Sequence, residues 1–139
     1  LVKPTINPIH SDYCINLTNI TQELIDDLAH QDFAAVLADF YVWCEGHELY
    51  CFDSRVDGSR LFDRDVLIEN CDLYDLEFPF DQEKFHNVNE IFAQHGYKVK
   101  QSGASPEAFG IKIPARPHDA LNDARGLLIA LKALSERVK

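Results

Sequence analysis

Apolar residues recur every three or four positions along most of the chain, the spacing that places them on one side of an α-helix. Turn and cap residues separate these stretches. Asp32 precedes one of them, and Gly46, Gly96 and Gly110 follow others. The spacing predicts two short helical turns that end at Gly96 and Gly110 and four longer helices, at residues 21–29, 33–45, 60–73 and 117–134.

Two short runs lack this spacing and mix aromatic with apolar residues: 48–53, ELYCFD, and 85–91, FHNVNEI. Both predict buried strands. Residues 1–18 contain Pro4 and Pro8 and predict an irregular connection. Because two strands cannot cover the apolar faces of so many helices, we expect additional strands. The chain starts with Leu1 and contains no methionine, so we expect residues that precede Leu1 to be missing from the sequence.

Length and composition indicate one globular domain over residues 1–139, since 46% of the residues are hydrophobic and 26% are charged. No apolar run is long enough to span a membrane, and no signal peptide is recognisable. The four cysteines show no C-x-x-C spacing and lie in apolar surroundings. We therefore predict reduced thiols in or near the core of a cytoplasmic protein, at Cys14, Cys44, Cys51 and Cys71.

The net charge of -10 argues against a protein that binds duplex nucleic acid mainly through phosphate contacts. An acidic protein can still bind a nucleic-acid end at one point. Divalent ions held by carboxylates create a local site for phosphate oxygens. The charge therefore leaves a metal-dependent nuclease among the possible functions.

The helix predicted over residues 117–134 carries an aspartate on its apolar side. Asp123 lies three residues after Ala120 and four before Leu127, so its carboxylate points toward whatever the helix packs on. A carboxylate there is costly unless a cation or several donors meet it. His118, at the helix entrance, can face the same point and exchange protons. The alternative is a helix cap with an acid that complements the helix dipole. The rest of the predicted apolar stripe is Ala124, Leu131 and Leu134.

Asp63 repeats this feature, because it lies three and four residues before Val66 and Leu67 on its own predicted helix. Two inward carboxylates from separate helices predict a shared divalent cation of the magnesium or manganese type. Asp57 and Asp65 are neighbouring alternatives for the second ligand. A solvated acid at a helix entrance is the structural alternative for each of the three.

Three segments resemble, in order, motifs of the DEDDh branch of the DEDD exonuclease superfamily. His118-x-Ala120-x-x-Asp123-Ala124 resembles its third motif, and Phe62-Asp63 within LFDRDVL resembles its second. Residues 17–21, LTNIT, are similar to a Leu-Thr-Gly-Ile-Thr stretch in which Asn19 replaces the glycine. Asparagine tolerates positive φ best after glycine, so the turn is expected to persist. The family's first motif, Asp-x-Glu on the first strand, is absent.

The resemblance implies an α/β, ribonuclease H-like exonuclease fold, with a mixed sheet flanked by helices. It also implies two Mg²⁺ or Mn²⁺ ions in the complete site, bound by two acids of this chain and by the absent Asp-x-Glu pair. In the roles so implied, the metal ligands are Asp63 and Asp123, the base that activates water is His118, and the residues that contact the terminal nucleotide are Leu17, Thr18 and Phe62.

The function implied is a 3′–5′ exonuclease that releases mononucleotides from the 3′ end of single-stranded RNA or DNA by a two-metal-ion mechanism. Because it holds two of four acidic ligands, we expect this chain alone to be inactive or nearly so. One alternative is a non-catalytic module of the same fold that binds nucleic acid or protein. Another is a structural helical domain whose acids are placed by chance.

Overall fold

The computed structural model describes residues 1–27, 29–113 and 118–138. Helices and one small sheet make up the fold in this part of the chain. The α-helices and strands, in chain order, are α1 Asp12–Thr18, α2 Gln22–Asp26, α3 Phe33–Cys44, β1 Leu49–Cys51, α4 Phe62–Leu73, β2 Phe85–Asn87, α5 Val88–Gln94 and α6 Ala120–Arg137. Two short 3₁₀ helices lie at Gln82–Lys84 and Ser105–Phe109.

The two strands are parallel and pair Leu49 with Phe85 and Cys51 with Asn87. Helix α4 lies in the connection between them, as parallel pairing requires a crossover. Within the described residues β1 pairs only with β2, so its other edge is free. Both predicted strands are confirmed but shorter. Residues 88–91 belong to α5, because the side chain of Asn87 accepts the N–H of Asn89 and starts a helix there.

Two clusters of buried side chains form the core. The larger one joins α5, the second 3₁₀ helix and α6, through Val88, Phe92, Phe109, Ala130 and Leu134. The smaller one joins the strands to the start of α4, through Cys51, Leu61 and Phe85. The two aspartates described below lie on α4 and α6.

Helix α6 is rotated relative to the prediction. Its buried residues are Gly126, Ala130 and Leu134, so of the predicted stripe only Leu134 is fully buried. The residues Ala120, Ala124, Leu127 and Leu131 line an open groove, and of these Leu127 and Leu131 also pack partly against the larger core cluster. The cause is close packing. A Cβ on Gly126 would lie 3.1 Å from the carbonyl oxygen of Gly103, so only a small residue fits there.

The N-terminal region contains a helix that the sequence prediction missed. Residues 12–18 form α1 because Ser11 caps it and Asp12 lies in its first turn. Asn19 ends α1 with φ 62°, so the predicted turn with positive φ is confirmed. Helix α2 is shorter than predicted, starting after its cap Thr21, and residue 28 lies outside the described residues.

The other helices largely confirm the prediction. Asp32 caps α3 by accepting the N–H of Ala35. Helix α6 starts three residues later than predicted, after its cap Asp119, which leaves His118 before the helix with φ 64°. The prolines predicted to precede this helix, at 114 and 117, lie outside the described residues. None of the described helices combines the length and apolar character that crossing a bilayer needs.

The cysteines are free thiols, as predicted: three are buried and Cys14 is partly buried. Burial raises the pKa of Cys51 to about 12, and the negative charge of Asp63 contributes to this rise. Thiols in such surroundings are unreactive, so the cysteines have a packing role.

Candidate functional site

Two aspartates from separate helices line one groove between β1, α4 and α6. Asp63 lies in the first turn of α4, and Asp123 lies in the first turn of α6. We call this space, with a volume of about 510 Å³, the carboxylate groove. Its other lining residues are mostly apolar: Tyr50, Cys51, Phe52, Phe62, Ser102, Ala120, Ala124, Leu127, Leu128 and Leu131.

A second space, the entrance cavity, adjoins the carboxylate groove and shares Asp123 and Phe62 with it. Its volume is about 590 Å³. His118 lines this cavity together with the loop that follows β1 and the loop that precedes the second 3₁₀ helix. The remaining lining residues are Phe52, Asp53, Ser54, Arg55, Lys100, Gln101, Ser102, Gly103, Ala104, Glu107 and Ile113.

Packing, and not hydrogen bonding, holds the buried oxygen of the Asp123 side chain in place. Its Oδ1 atom is buried and has no hydrogen-bond partner among the described residues. Gly103 packs directly on this carboxylate, because a Cβ built on Gly103 would overlap Oδ1 of Asp123. A buried carboxylate oxygen without a donor costs stability. A cation beside this carboxylate would offset that cost.

Asp63 is also electrostatically costly. Asp63 as a whole residue is solvent-exposed. The atoms around its carboxyl group nevertheless desolvate that group and raise its pKa. The negative charge of Asp53 raises the pKa further, while an interaction with the backbone of Phe52 opposes the rise. A divalent ion in the groove would relieve this cost, because a nearby positive charge favours the ionised form.

The two remaining side chains near the groove are accessible. His118 is exposed in a left-handed conformation just before the cap of α6. Phe62 keeps 52% of its surface exposed, and the guanidinium of Arg60 lies 5.4 Å from its ring centre. An exposed imidazole can exchange protons with water, and an exposed aromatic ring can stack on a base.

The residues present fit part of a divalent metal site. Asp63 and Asp123 offer hard oxygen ligands toward one groove, one of them with an unpaired buried oxygen. Within the described residues, no group of three or more His, Cys, Asp or Glu side chains is arranged to hold a metal ion. A metal ion bound by the two aspartates would therefore need further ligands from outside the described residues.

Known proteins with similar sequences are exonucleases. No protein-family model matches the chain. The chain is 32% identical over 143 residues to human (Homo sapiens) 3′-5′ exoribonuclease 1 and 30% identical to the rat (Rattus norvegicus) protein of that name. Each match covers 97% of this chain and 40% of the relative, so the chain spans less than half of these proteins.

Solved structures agree with the sequence comparison. The nuclease domain of 3′hExo, described as a DEDDh family member bound to rAMP, superposes with a TM-score of 0.74 and 27% identity, over 97% of this chain and 70% of that one. A 3′-exonuclease studied for recognition of the histone mRNA stem-loop superposes with a TM-score of 0.74 and 25% identity. This match covers 97% of this chain and 62% of that one. The chain belongs to the DEDDh exonuclease family. The predicted family and fold are thereby confirmed.

Within this DEDDh domain, three of the predicted site residues line the carboxylate groove, namely Phe62, Asp63 and Asp123, and His118 lines the adjoining entrance cavity. Leu17 and Thr18 are not among the lining residues of either space. The hydroxyl of Thr18 donates to the carbonyl of Cys14 and accepts the N–H of Ile20, which is a capping role at the end of α1. Their contact with a nucleotide stays a prediction.

The alternative ligands to Asp63 have other partners. Asp65 forms an ion pair of 2.6 Å with Arg64 and accepts the N–H of Leu61. Asp57 accepts the N–H of Ser59 in an exposed turn. Neither residue lines the carboxylate groove. The position of Asp63 in the DEDDh domain is therefore the one that fits a metal ligand.

Sequence reasoning missed one buried acid beside the site. Asp53, at the end of the predicted strand 48–53, is 5% exposed and accepts the N–H of Phe62, the first residue of α4. The side-chain hydrogen bond from Arg55 is the main reason that the pKa of Asp53 lies below its usual range. The one available signal was an acid ending an apolar strand. Asp53 thus anchors the turn of α4 that carries Phe62 and Asp63.

Proposed function

We propose that this DEDDh domain is the nuclease part of a 3′–5′ exonuclease that acts on RNA and releases mononucleotides. One observation carries the proposal: Asp63 and Asp123 line a single groove, and His118 lines the cavity that adjoins it. The names of the relatives support RNA as the substrate, since they are 3′-5′ exoribonucleases and a similar nuclease domain was solved with rAMP.

Each side chain has a distinct task in this proposal. Asp63 and Asp123 would hold two divalent ions together with further carboxylates. Such ions, Mg²⁺ or Mn²⁺, would lower the pKa of water and stabilise negative charge on the phosphate and on the leaving 3′ oxygen. His118 accepts a proton from the attacking water, which its exposed position permits. Phe62 stacks on the terminal base and aligns the last phosphodiester.

The further carboxylates are proposed to come from a strand that pairs with the free edge of β1. Strand β1 borders a second apolar space of about 660 Å³, which shares Tyr50, Cys51, Asp63 and Ala124 with the carboxylate groove. Alternate side chains of a strand placed there would point toward the groove and toward α3. Without that strand we expect the 139-residue chain to show little or no nuclease activity.

The test is an assay of the full-length protein on single-stranded RNA and DNA labelled at the 5′ end, with and without Mg²⁺. Stepwise shortening of RNA from the 3′ end, dependent on Mg²⁺, is the expected result. His118→Ala should lower the rate by about 10²–10⁴-fold, the usual share of general-base catalysis. His95→Ala, an exposed histidine at the end of α5, is the matched control and should leave the rate unchanged.

Two results would contradict the proposal. One is RNA that stays intact but is bound, which would instead support a non-catalytic binding module of this fold. The other is Mg²⁺-dependent cleavage that His118→Ala leaves at the wild-type rate. Robust cleavage by the 139-residue chain alone would contradict the more specific claim that it lacks two ligands.

A further inference from the structure

A network of buried polar side chains fixes the loop that follows β1. Asp53, Asn87 and Asn89 are each less than 10% exposed. The Asn87 side-chain oxygen accepts the N–H groups of Asp53 and Asn89, at 3.1 and 3.0 Å. The Asn89 side-chain amide donates to the carbonyls of Asp53 and Ser54, at 3.1 and 3.3 Å. Buried hydrogen bonds of this number make the loop rigid.

Arg55 is the residue that this network orients. Its backbone N–H donates to Oδ1 of Asp53 at 2.9 Å, and its carbonyl accepts the side-chain amide of Asn87 at 2.7 Å. Its guanidinium donates to both carboxylate oxygens of Asp53, from Nε at 3.1 Å and from Nη2 at 3.2 Å. Backbone and side chain are therefore both held, which lowers the entropy cost of a further contact.

The guanidinium of Arg55 still has N–H donors that Asp53 does not use. Its side chain keeps 47% of its surface exposed, and the residue lines the entrance cavity beside Phe62 and His118. Within the described residues its Nη1 atom donates to no acceptor. A guanidinium carries five N–H donors in a planar fork, and Asp53 uses only one side of it. The other side matches two oxygens of a phosphate group.

Two of the cations near the loop, Arg55 and Lys100, line the entrance cavity. The other arginines near the loop, Arg60 and Arg64, pair with Asp65. Lys100 lines the entrance cavity with Arg55 and has no ion-pair partner within the described residues. The carboxylates of Glu107 and Asp123 line the same cavity, so the anion-binding capacity is local to Arg55 and is not a property of the whole cavity.

We propose that Arg55 binds a phosphate group of the single-stranded RNA backbone in the entrance cavity, and that Asp53 and Asn87 hold it for this contact. The proposal rests on the proposed nuclease function, because it takes the entrance cavity as the path of the RNA strand. Arg55 itself takes no part in bond cleavage. Its role is to fix the strand so that the terminal phosphodiester reaches the carboxylate groove.

The test measures the salt dependence of RNA binding by the full-length protein. A fluorescent 12-nucleotide single-stranded RNA is titrated in EDTA, which prevents hydrolysis, at several salt concentrations. Loss of one phosphate contact lowers the slope of log Kd against log salt by about 0.7 for single strands. Arg55→Met should show this smaller slope and about tenfold weaker binding at low salt.

Two further variants separate this role from others. Arg125→Met removes the same charge from an exposed position on α6 and should leave the slope unchanged. Arg55→Lys keeps the charge without the planar fork. It should keep the wild-type slope but bind RNA more weakly.

The outcomes distinguish the two proposals. If wild-type protein degrades RNA while Arg55→Met keeps its slope and affinity, the assignment of Arg55 is overturned and the nuclease function stands. A lower melting temperature of Arg55→Met with unchanged RNA binding would assign Arg55 a structural role only, against the proposal. Absence of both RNA binding and degradation by the wild-type protein would overturn both proposals.

Discussion

Asp53 and Asp123 both lie close to the start of a helix, yet their surroundings differ. The carboxylate of Asp53 accepts two N–H groups from the side chain of Arg55 and two from the backbone, of Arg55 and Phe62. The Oδ1 atom of Asp123 is buried and has no donor among the described residues. An acid whose donors all come from the fold stabilises the fold. An acid that packing holds without a donor is a candidate for binding a cation.

The largest effect that this comparison predicts is on catalysis. In the full-length protein, Asp123→Asn and Asp63→Asn should each lower the rate of RNA cleavage by at least about 100-fold, because an amide is a much weaker ligand for Mg²⁺ than a carboxylate. Cleavage of labelled single-stranded RNA measures this. Asp72→Asn, which changes an exposed acid on α4, is the matched control. Equal rates for Asp123→Asn and wild type would remove the distinction between the two kinds of aspartate.

Gly103→Ala tests whether packing holds Asp123 in place. The added Cβ would overlap the carboxylate, so the loop or the Asp123 side chain must move. We expect a loss of about 1–3 kcal/mol of stability, typical of overpacking, and a lower cleavage rate. Urea denaturation and the cleavage assay measure the two effects.

Gly126→Ala provides the comparison for Gly103→Ala. It presses on the backbone of the same loop, where its Cβ would lie 3.1 Å from the Gly103 carbonyl oxygen, but it does not touch the Asp123 carboxylate. It should affect stability and cleavage less. If both variants lowered cleavage equally, loop displacement alone would explain the effect.

Asp53→Asn tests the opposite side of the comparison. The variant keeps the shape of the side chain but loses its charge, and an amide nitrogen faces some of the donors. We expect a loss of about 2 kcal/mol of stability at pH 7, the usual worth of hydrogen bonds to a buried charge. The measurement is urea denaturation of both proteins. A loss no larger than that of Asp72→Asn would mean that the network around Asp53 contributes little.

The pH dependence of this loss follows from the sign of the pKa shift. The hydrogen bonds from Arg55 place the folded-state pKa of Asp53 below its ordinary value. Its contribution is therefore complete above the ordinary pKa of about 4 and disappears as the pH falls through the folded-state pKa. The stability difference between wild type and Asp53→Asn should be constant from about pH 5 to 7 and shrink below about pH 4.

The sequence predicted the residues that carry a local pattern. Asp63 and Asp123 were found because each lies among apolar residues that recur every three or four positions. Helix α3 was found because Asp32 and the residues after Cys44 mark its ends. The role of Asp53 was not predictable in this way. Arg55 is two positions away, but the partners that link Asp53 to other elements are distant in sequence: Phe62 nine positions later and Asn87 thirty-four positions later.

The orientation of α6 shows a second limit of local patterns. Its apolar repeat correctly indicated a helix, but the side that packs against the described residues is the one with Gly126 and Ala130. Close approach of the loop at Gly103 selects that side, and a sequence pattern does not reveal which neighbour comes closest. The apolar repeat lines the carboxylate groove, where the proposed additional strand would cover it.

The smallest predicted effect concerns the stability cost of Asp63. Burial raises the pKa of this carboxyl group in the folded protein, so the charged form is less favourable there than in the unfolded chain. The stability associated with this group is present at low pH and is lost as the pH rises through the raised folded-state pKa. In EDTA at pH 7, Asp63→Asn should therefore melt slightly higher than wild type, by up to about 3 °C, and the gap should narrow toward pH 4. Asp53→Asn should melt lower under the same conditions. Opposite signs for the two substitutions would separate an acid that the fold satisfies from one retained at a cost, whereas a lower melting temperature for both would assign Asp63 a structural role.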